Sequence, residues 1–134
     1  MARRYDKGDR RFKHVGRTTR PEFELQSGHH QRWIGKCPAN LSPNVINGLL
    51  DDALALPGSD RELAVPKRLY AIHEGAIYEA QTSDGGVSYH GYPYRGSLPV
   101  RLVSALRNMA QIKGCLEDFE DWVKRYIVIH GSYR

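Results

Sequence analysis

The chain has 134 residues, of which 40% are hydrophobic and 26% charged, and it carries a net charge of +5. These values are typical of one globular domain, and no apolar run is long enough to predict a membrane-spanning helix or a secretory signal. The two cysteines, Cys37 and Cys115, match no metal-ligand spacing and indicate reduced thiols. We therefore expect a cytoplasmic protein with no metal site and no cofactor.

The positive charge is confined to the first 20 residues. These hold eight Lys/Arg and two Asp, a net charge of +6, whereas the remaining 114 hold twelve Lys/Arg and thirteen Asp/Glu, a net charge of −1. We interpret residues 1–20 as a flexible basic arm and residues 21–134 as a single domain. The arm either binds nucleic-acid phosphates or only aids solubility. Its candidate phosphate-binding residues are Arg3, Arg4, Arg10, Arg11 and Lys13.

The first predicted elements are a short strand over QRWIGKC, residues 31–37, and a helix over LSPNVINGLLDDALAL, residues 41–56. Ser42 is a favourable N-cap, and Pro43 follows it at a position where the missing N–H costs nothing. The dipeptide Pro57-Gly58 predicts the end of this helix. Apolar residues recur at the spacing of one helix face, and they are Val45, Ile46, Leu49, Leu50, Ala53 and Leu54.

Three strand candidates follow: KRLYAIH at 67–73, AIYEAQ at 76–81 and VSYHGY at 87–92. The first two are separated by Glu74-Gly75, and the last two by a segment that contains Asp84-Gly85. An Asp-Gly pair between strand-like runs is a strong hairpin signal, because a type I′ turn needs positive φ at both central residues. We therefore predict a three-stranded antiparallel meander.

The C-terminal third predicts two helices and a final strand. One helix runs over PVRLVSALRNMAQIK, residues 99–113, and Gly114 is a suitable C-cap. A second helix covers about residues 116–127, and the tail IVIHGSYR begins as a short strand. The predicted fold class is α+β, with a small antiparallel β-meander packed on one face by about three helices.

The turns of the meander also predict which side chains lie opposite each other. A two-residue turn at Glu74-Gly75 places Tyr70 opposite Glu79 and Arg68 opposite Gln81. Closure of the second hairpin at Asp84-Gly85 places Glu79 opposite His90. Opposite residues share one side of the sheet, so we expect Glu79 between Tyr70 and His90 on an open face, with Arg68 one row away. A bulge in either hairpin would move His90 to the other face.

This arrangement suits RNA cleavage without a metal, which needs a base, an acid and groups that stabilise the phosphate charge. We assign Glu79 as the base and His90 as the acid, with exchangeable roles, and Arg68 and Tyr70 complete the candidate catalytic group. Nucleic-acid contacts are expected from Arg95, Tyr92 and Tyr94, since arginine binds phosphate and tyrosine rings stack on bases. A weak cross-strand charge pair on a solvated sheet is the alternative interpretation.

The stretch YHGYP, residues 89–93, followed by a helix that opens with proline, resembles the ends of toxin modules in bacterial polymorphic-toxin systems. A helix followed by a meander carrying Glu, His and Arg is similar to barnase-like ribonuclease toxins, over about residues 42–110. The resemblance implies a toxin-like ribonuclease with Glu79 and His90 at its centre. RNA or another nucleic acid is then the expected partner, with an inhibitory protein as a second one.

Two other functions remain open at this point. One is a non-enzymatic module that binds nucleic acid or protein, as an accessory or inhibitor protein of a mobile element, through the basic arm and an aromatic sheet face. The other is an interaction module whose hot spot is formed by Tyr70, Tyr92, Tyr94 and Trp33.

Overall fold

The computed structural model describes residues 20–26, 32–37, 43–55, 68–82 and 89–131. Within these ranges the chain forms three helices and eight strands, and this confirms the predicted α+β class. The helices are α1 (Pro43–Asp52), α2 (Val100–Ile112) and α3 (Leu116–Tyr126). The strands are β1 (Glu22–Gln26), β2 (Arg32–Lys36), β3 (Leu54–Ala55), β4 (Arg68–His73), β5 (Ala76–Gln81), β6 (His90–Pro93), β7 (Gly96–Pro99) and β8 (Ile127–His130).

The central sheet is antiparallel, with strand order β3-β4-β5-β6. The β4–β5 hairpin has the predicted register, since Tyr70 lies opposite Glu79 and His73 lies opposite Ala76. Its turn residues Glu74 and Gly75 have φ values of 51° and 87°. Two successive positive φ values are what a two-residue turn of type I′ requires. This hairpin therefore fixes the register on which the candidate site depends.

Helix α1 ends earlier than predicted, at Asp52 rather than before Pro57. The next residues form strand β3 instead, where Leu54 pairs with Tyr70 and Ala55 pairs with Leu69. Pairing with the sheet satisfies backbone groups and packs Leu54 against the core. These tertiary contacts outweigh the helical preference of the segment. The predicted C-terminal end of this helix was therefore wrong.

The register of the second hairpin also differs from the prediction. His90 lies opposite Gln81 and Tyr92 lies opposite Glu79, an offset of two residues, so the expected pairing of Glu79 with His90 was wrong. The observed register is centred between residues 85 and 86, one residue later than the predicted centre at Asp84-Gly85. Residues 83–88 themselves lie outside the described ranges. Because side chains alternate with a period of two, this offset leaves His90 on the predicted face.

Helices pack on both sides of the central sheet. Leu50 of α1 clusters with Leu69, Ala80 and Tyr89, the side predicted to be apolar. Residues of α2 and α3 form the larger core on the other side, together with Tyr70, Ile72 and Ile77. The expectation of an open face there was wrong, because α2 and α3 exclude solvent from most of it. The buried residues contributed by these two helices are Leu102, Val103, Leu106, Ala110, Phe119, Trp122 and Val123.

The turn between α2 and α3 has the geometry of a Schellman motif. The Gly114 N–H donates to Gln111 O and the Cys115 N–H donates to Ala110 O, with Gly114 at φ 74°. Gly114 is therefore the C-terminal stop that the sequence predicts. The expected final strand, β8, pairs in parallel with β7. Strand β7 was not predicted, since its four residues GSLP carry no strand pattern.

Strands β1 and β2 form a separate antiparallel hairpin that lies against β6. The β2 strand was predicted and β1 was not. At the contact with β6, a Cβ atom on Gly35 would lie 2.2 Å from the Pro93 carbonyl oxygen, so only glycine allows this approach. In the described part of the chain, no helix has the length and apolar character needed to cross a membrane.

Candidate active site

The carboxyl group of Glu79 is buried and receives several hydrogen bonds. The Tyr70 hydroxyl donates to Glu79 Oε2 at 2.5 Å, and the Tyr92 hydroxyl donates to Oε1. Gln81 Nε2 donates to the same Oε1 at 2.9 Å and to the Tyr92 oxygen at 2.5 Å. Glu79 is only 5% exposed. We call Tyr70, Glu79, Gln81 and Tyr92 the carboxylate cluster.

The cluster stays buried because its polar groups satisfy one another. A carboxyl group without partners would be costly inside the protein, whereas donors at both oxygens compensate for the water it loses. The sequence explains the convergence, since β4, β5 and β6 place Tyr70, Glu79 and Tyr92 opposite each other in one row. The predicted neighbour of Glu79 on β6 was His90, and Tyr92 takes that place.

The phenols of the cluster are held in their neutral form. Burial raises the pKa of Tyr70 well above its usual range, and the hydrogen bond to Glu79 raises it further. Burial likewise raises the pKa of Tyr92, and the nearby Glu79 carboxylate adds to this effect. Both phenols therefore act as hydrogen-bond donors rather than as anions.

The next row of the same sheet face carries Arg68, Gln81 and His90, which lie opposite one another on β4, β5 and β6. Arg68 is exposed and His90 is partly exposed. The Arg68 guanidinium counteracts the rise in the pKa of Tyr70 and of Tyr92, so it lies within electrostatic reach of both phenols. His90 is diagonal to Glu79, at roughly 7–8 Å between backbone positions for neighbours of this kind. The row therefore borders the carboxylate cluster on its solvent side.

The tyrosines predicted to stack on bases differ in accessibility. Tyr70 is 2% exposed, so its ring has no surface to offer to a base, and it positions Glu79 instead. Tyr92 and Tyr94 are both partly exposed. The Tyr94 hydroxyl donates to Ser97 O at 2.9 Å, and its ring packs edge-on against Tyr70 at 5.5 Å. Tyr92 is thus the phenol of the carboxylate cluster that is also partly exposed to solvent.

The structure separates Arg95 from this group. Its guanidinium lies over the rings of Phe23 and Tyr126, at 5.4 and 5.5 Å from their centroids. These cation–π contacts hold Arg95 against β1 and α3. The predicted arm residues Arg3, Arg4, Arg10, Arg11 and Lys13 lie outside the described ranges. Of the predicted site, the sheet thus brings together Arg68, Tyr70, Glu79, His90 and Tyr92.

Gln81 is the member of the site that the sequence interpretation did not assign. It joins the two rows, because it lies between Arg68 and His90 and donates to Glu79 and Tyr92. The sequence did contain a signal for Gln81: it lies two residues after Glu79 on one strand, and residues at this spacing share a face of the sheet. In the described ranges, no three His, Cys, Asp or Glu side chains group closely enough to hold a metal ion.

Comparison of the chain with protein-family models, curated proteins and solved structures finds no match. The likeness to barnase-like toxins stays a prediction from the sequence, and the functional argument depends on the geometry of the carboxylate cluster and of the row beside it.

Proposed function

We propose that this protein is a metal-independent ribonuclease whose active site is the solvent side of the carboxylate cluster. The observation that carries the proposal is that one sheet face holds Arg68 and His90 in a row directly beside Tyr92 and Glu79. These residue types supply a cation for the phosphate, an imidazole for proton transfer, an aromatic ring for a base and a carboxyl group as a proton acceptor.

His90 is the proposed acid. Histidine is the side chain whose charge changes most readily near neutral pH, and His90 is partly exposed on the strand next to Gln81. The imidazolium gives its proton to the 5′-oxygen that leaves when the phosphodiester bond breaks. Arg68, on the opposite side of the same row, pairs with the phosphate oxygens and stabilises the charge that develops on them.

Glu79 is the proposed base, and it acts through Tyr92. The 2′-hydroxyl passes its proton to the Tyr92 oxygen while the Tyr92 proton moves to Glu79 Oε1, which already accepts it in a hydrogen bond. The 2′-oxygen then attacks phosphorus and a 2′,3′-cyclic phosphate forms. Tyr92 keeps one proton throughout, which fits its raised pKa, and Glu79 gains the proton without leaving its buried position.

Binding of RNA without cleavage is the second candidate, and the saturation of Glu79 favours it. A carboxyl group that accepts bonds from Tyr70, Gln81 and Tyr92 serves to stiffen the sheet. In that case Arg68 and the exposed part of Tyr92 form a surface that binds phosphate and stacks on a base. The toxin-like class and an inhibitory protein partner are further parts of the proposal and derive from the sequence resemblance alone.

The test is cleavage of a labelled RNA in EDTA by the wild type, His90→Ala and His130→Ala. His130 is exposed on β8, outside the proposed site, so its replacement is the matched control. We expect a 2′,3′-cyclic phosphate product from the wild type and from His130→Ala, and a rate about 10²–10⁴-fold lower for His90→Ala. RNA that is retained intact by the wild type but not by Arg68→Ala would overturn cleavage in favour of binding.

A further inference from the structure

Two neighbouring apolar side chains of strand β8 are exposed to solvent. Val128 is 64% exposed and Ile129 is 41% exposed. Among the described residues, the only other exposed large apolar side chain is Ile112. It lies at the far end of α2, ~18 Å along the helix from Val100, and Val100 is the residue beside Gly131. The exposed apolar pair is therefore a local feature of β8.

Strand β7, which pairs in parallel with β8, has the alternation that β8 lacks. Ser97 is exposed and Leu98 is buried, and these two residues lie opposite Val128 and Ile129. Successive residues of a strand point to opposite faces of the sheet, and residues opposite one another share a face. Exposure of both Val128 and Ile129 therefore means that β8 is open along its edge and not only on one face.

The edge of β8 also lacks the features that usually prevent a strand from pairing with another chain. Such features are charged residues, proline and a very short strand. Strands β1 and β2 carry charged residues, β6 and β7 each end with proline, and β3 has two residues. Strand β8 has the sequence IVIH and pairs only with β7 within the described chain. Its second edge therefore presents backbone groups that an added strand can bind.

The segments that form this parallel ladder are rich in cations and contain no carboxylate side chain. Residues 85–116 and 122–134 hold seven lysines and arginines and no Asp or Glu. Three of the seven pair with acids of α1 and α3. Lys124, just before β8, is exposed and forms no salt bridge with a described residue. At the other end of β8, Arg101 follows Val100, the neighbour of Gly131. Cations thus flank an apolar strand edge.

This charge distribution favours an acidic partner over a second copy of the chain. Antiparallel pairing of two β8 strands would place Lys124 near Arg101 of the other copy, and parallel pairing would place Lys124 near its own counterpart. Like charges on paired strands are destabilising, whereas opposite charges stabilise the pairing. A strand with carboxylates at its ends therefore complements β8 better than β8 complements itself.

We propose that the open edge of β8 binds an extended strand of another protein, with an apolar centre and a carboxylate at each end. Main-chain hydrogen bonds to the edge provide affinity, and the apolar side chains of the added strand cover Val128 and Ile129. Its carboxylates lie near Lys124 and Arg101. The proposal is independent of the ribonuclease activity, because β8 belongs to a different sheet from the carboxylate cluster.

Isothermal titration of the full chain with a capped peptide of sequence Asp-Val-Thr-Val-Thr-Val-Asp tests this directly. One matched ligand replaces both aspartates by lysine, and another carries N-methyl groups on two consecutive central residues, which removes a hydrogen-bond donor from each edge of the peptide. We expect the acidic peptide to bind at least about tenfold more tightly than either matched ligand. Amide NMR shifts on addition of the acidic peptide should be largest at residues 127–130.

Three variants locate the binding. Val128→Lys places a charge on the edge and is expected to weaken binding of the acidic peptide at least about tenfold. Ile112→Lys, the same change at a side chain that is 87% exposed on α2, is the matched control and leaves binding unchanged. Lys124→Glu is expected to weaken the acidic peptide about fivefold and to strengthen the lysine peptide.

Several results would overturn the proposal. They are no binding of the acidic peptide to the folded chain, equal binding of the acidic and lysine peptides, full binding of the N-methylated peptide, and full binding by folded Val128→Lys. Sedimentation equilibrium of the chain alone tests the other occupant. A wild-type dimer that Val128→Lys converts to a monomer would assign the edge to a second copy and would also overturn the proposal.

Discussion

Glu79 and Tyr78 are neighbours on β5, yet their polar groups differ in hydrogen bonding. The Glu79 carboxyl group accepts hydrogen bonds from two phenols and an amide, whereas the Tyr78 hydroxyl has no partner among the described residues. Successive strand residues point to opposite faces, so the two groups lie in different surroundings. A satisfied buried group stabilises the fold, and an unsatisfied one lowers the free energy of unfolding.

This difference in hydrogen bonding also distinguishes the two ends of the central sheet. At the Arg68 end of the sheet, the interior polar groups are complete and the reactive groups lie on the solvent side. At the turn end, the Tyr78 hydroxyl has no partner among the described residues, and Glu74 has a positive φ. We therefore expect catalysis at the Arg68 end.

The largest effect is expected from Glu79→Ala. This change leaves the Tyr70 hydroxyl buried without an acceptor and removes the group that Gln81 and Tyr92 both contact. We expect the free energy of unfolding to fall by about 2–4 kcal/mol, since each buried unsatisfied group costs roughly 1–3 kcal/mol. Urea unfolding at pH 7 measures this, with Glu117→Ala, at an exposed α3 position away from the cluster, as the control. A loss below about 1 kcal/mol would show that the cluster contributes little to stability.

Replacing each of two buried tyrosines by phenylalanine compares the hydrogen-bonded hydroxyl of Tyr70 directly with the unpartnered hydroxyl of Tyr78. Tyr70→Phe removes a donor from Glu79 and is expected to cost about 1–2 kcal/mol, whereas Tyr78→Phe removes an unpartnered hydroxyl and is expected to leave stability unchanged or raise it by up to about 1 kcal/mol. Both side chains are almost fully buried. Thermal and urea unfolding of the two variants give the signs, and equal losses would contradict the contrast.

A pH series isolates the Tyr70 contribution. Its pKa in the folded protein is raised above the ordinary value of 10.0, so the stability that the neutral phenol provides is complete below pH 10 and is lost as the pH rises beyond it. Wild-type stability should therefore fall more steeply above pH 10 than that of Tyr70→Phe, by at most about 1.4 kcal/mol per pH unit. Parallel curves from pH 8 to 11 would contradict a buried, hydrogen-bonded phenol at this position.

The smallest expected effect is at the turn. Asparagine adopts the positive φ of residue 74 more readily than glutamate does, so Glu74→Asn should raise the free energy of unfolding by about 0.5 kcal/mol. Ala76→Ser, a neighbouring change that leaves the turn conformation alone, is the reference. A loss of stability in Glu74→Asn would mean that the Glu74 carboxylate holds the hairpin despite its positive φ.

The sequence predicted the elements with strong local signals and missed those that depend on distant partners. Helix α2, its Gly114 stop and the β4–β5 register follow from periodicity and turn residues. The end of α1 does not, because Leu54 gains more from pairing with Tyr70 than from another helical turn. Strand β7 exists through its pairing with β8, about 30 residues later in the chain, as Gly96 lies opposite Ile127.

The candidate site was partly predictable for the same reason. The row of Tyr70 and Glu79 depends on a two-residue turn, and turn chemistry fixes that register. The partner on β6 depends on where the second connection is centred, and the segment Ser83-Asp84-Gly85-Gly86 offers more than one turn position. A centre one residue later than predicted shifts the pairing by two residues and places Tyr92 opposite Glu79 instead of His90. The cavity between the β4–β5 turn, the α2–α3 turn and α3 had no sequence signal, because its walls, which include Arg20 and Pro21, meet only in the folded chain.

The central claim is that Glu79 takes a substrate proton through Tyr92, and single-turnover cleavage of a short RNA in EDTA tests it most directly. Tyr92→Phe and Tyr70→Phe each remove one phenol that donates to Glu79, but only Tyr92 reaches the surface. The account predicts that Tyr92→Phe slows formation of the cyclic phosphate about 10²–10⁴-fold, while Tyr70→Phe stays within about tenfold of the wild type. Equal rates for the two folded variants, or no cyclic phosphate from the wild type, would contradict it.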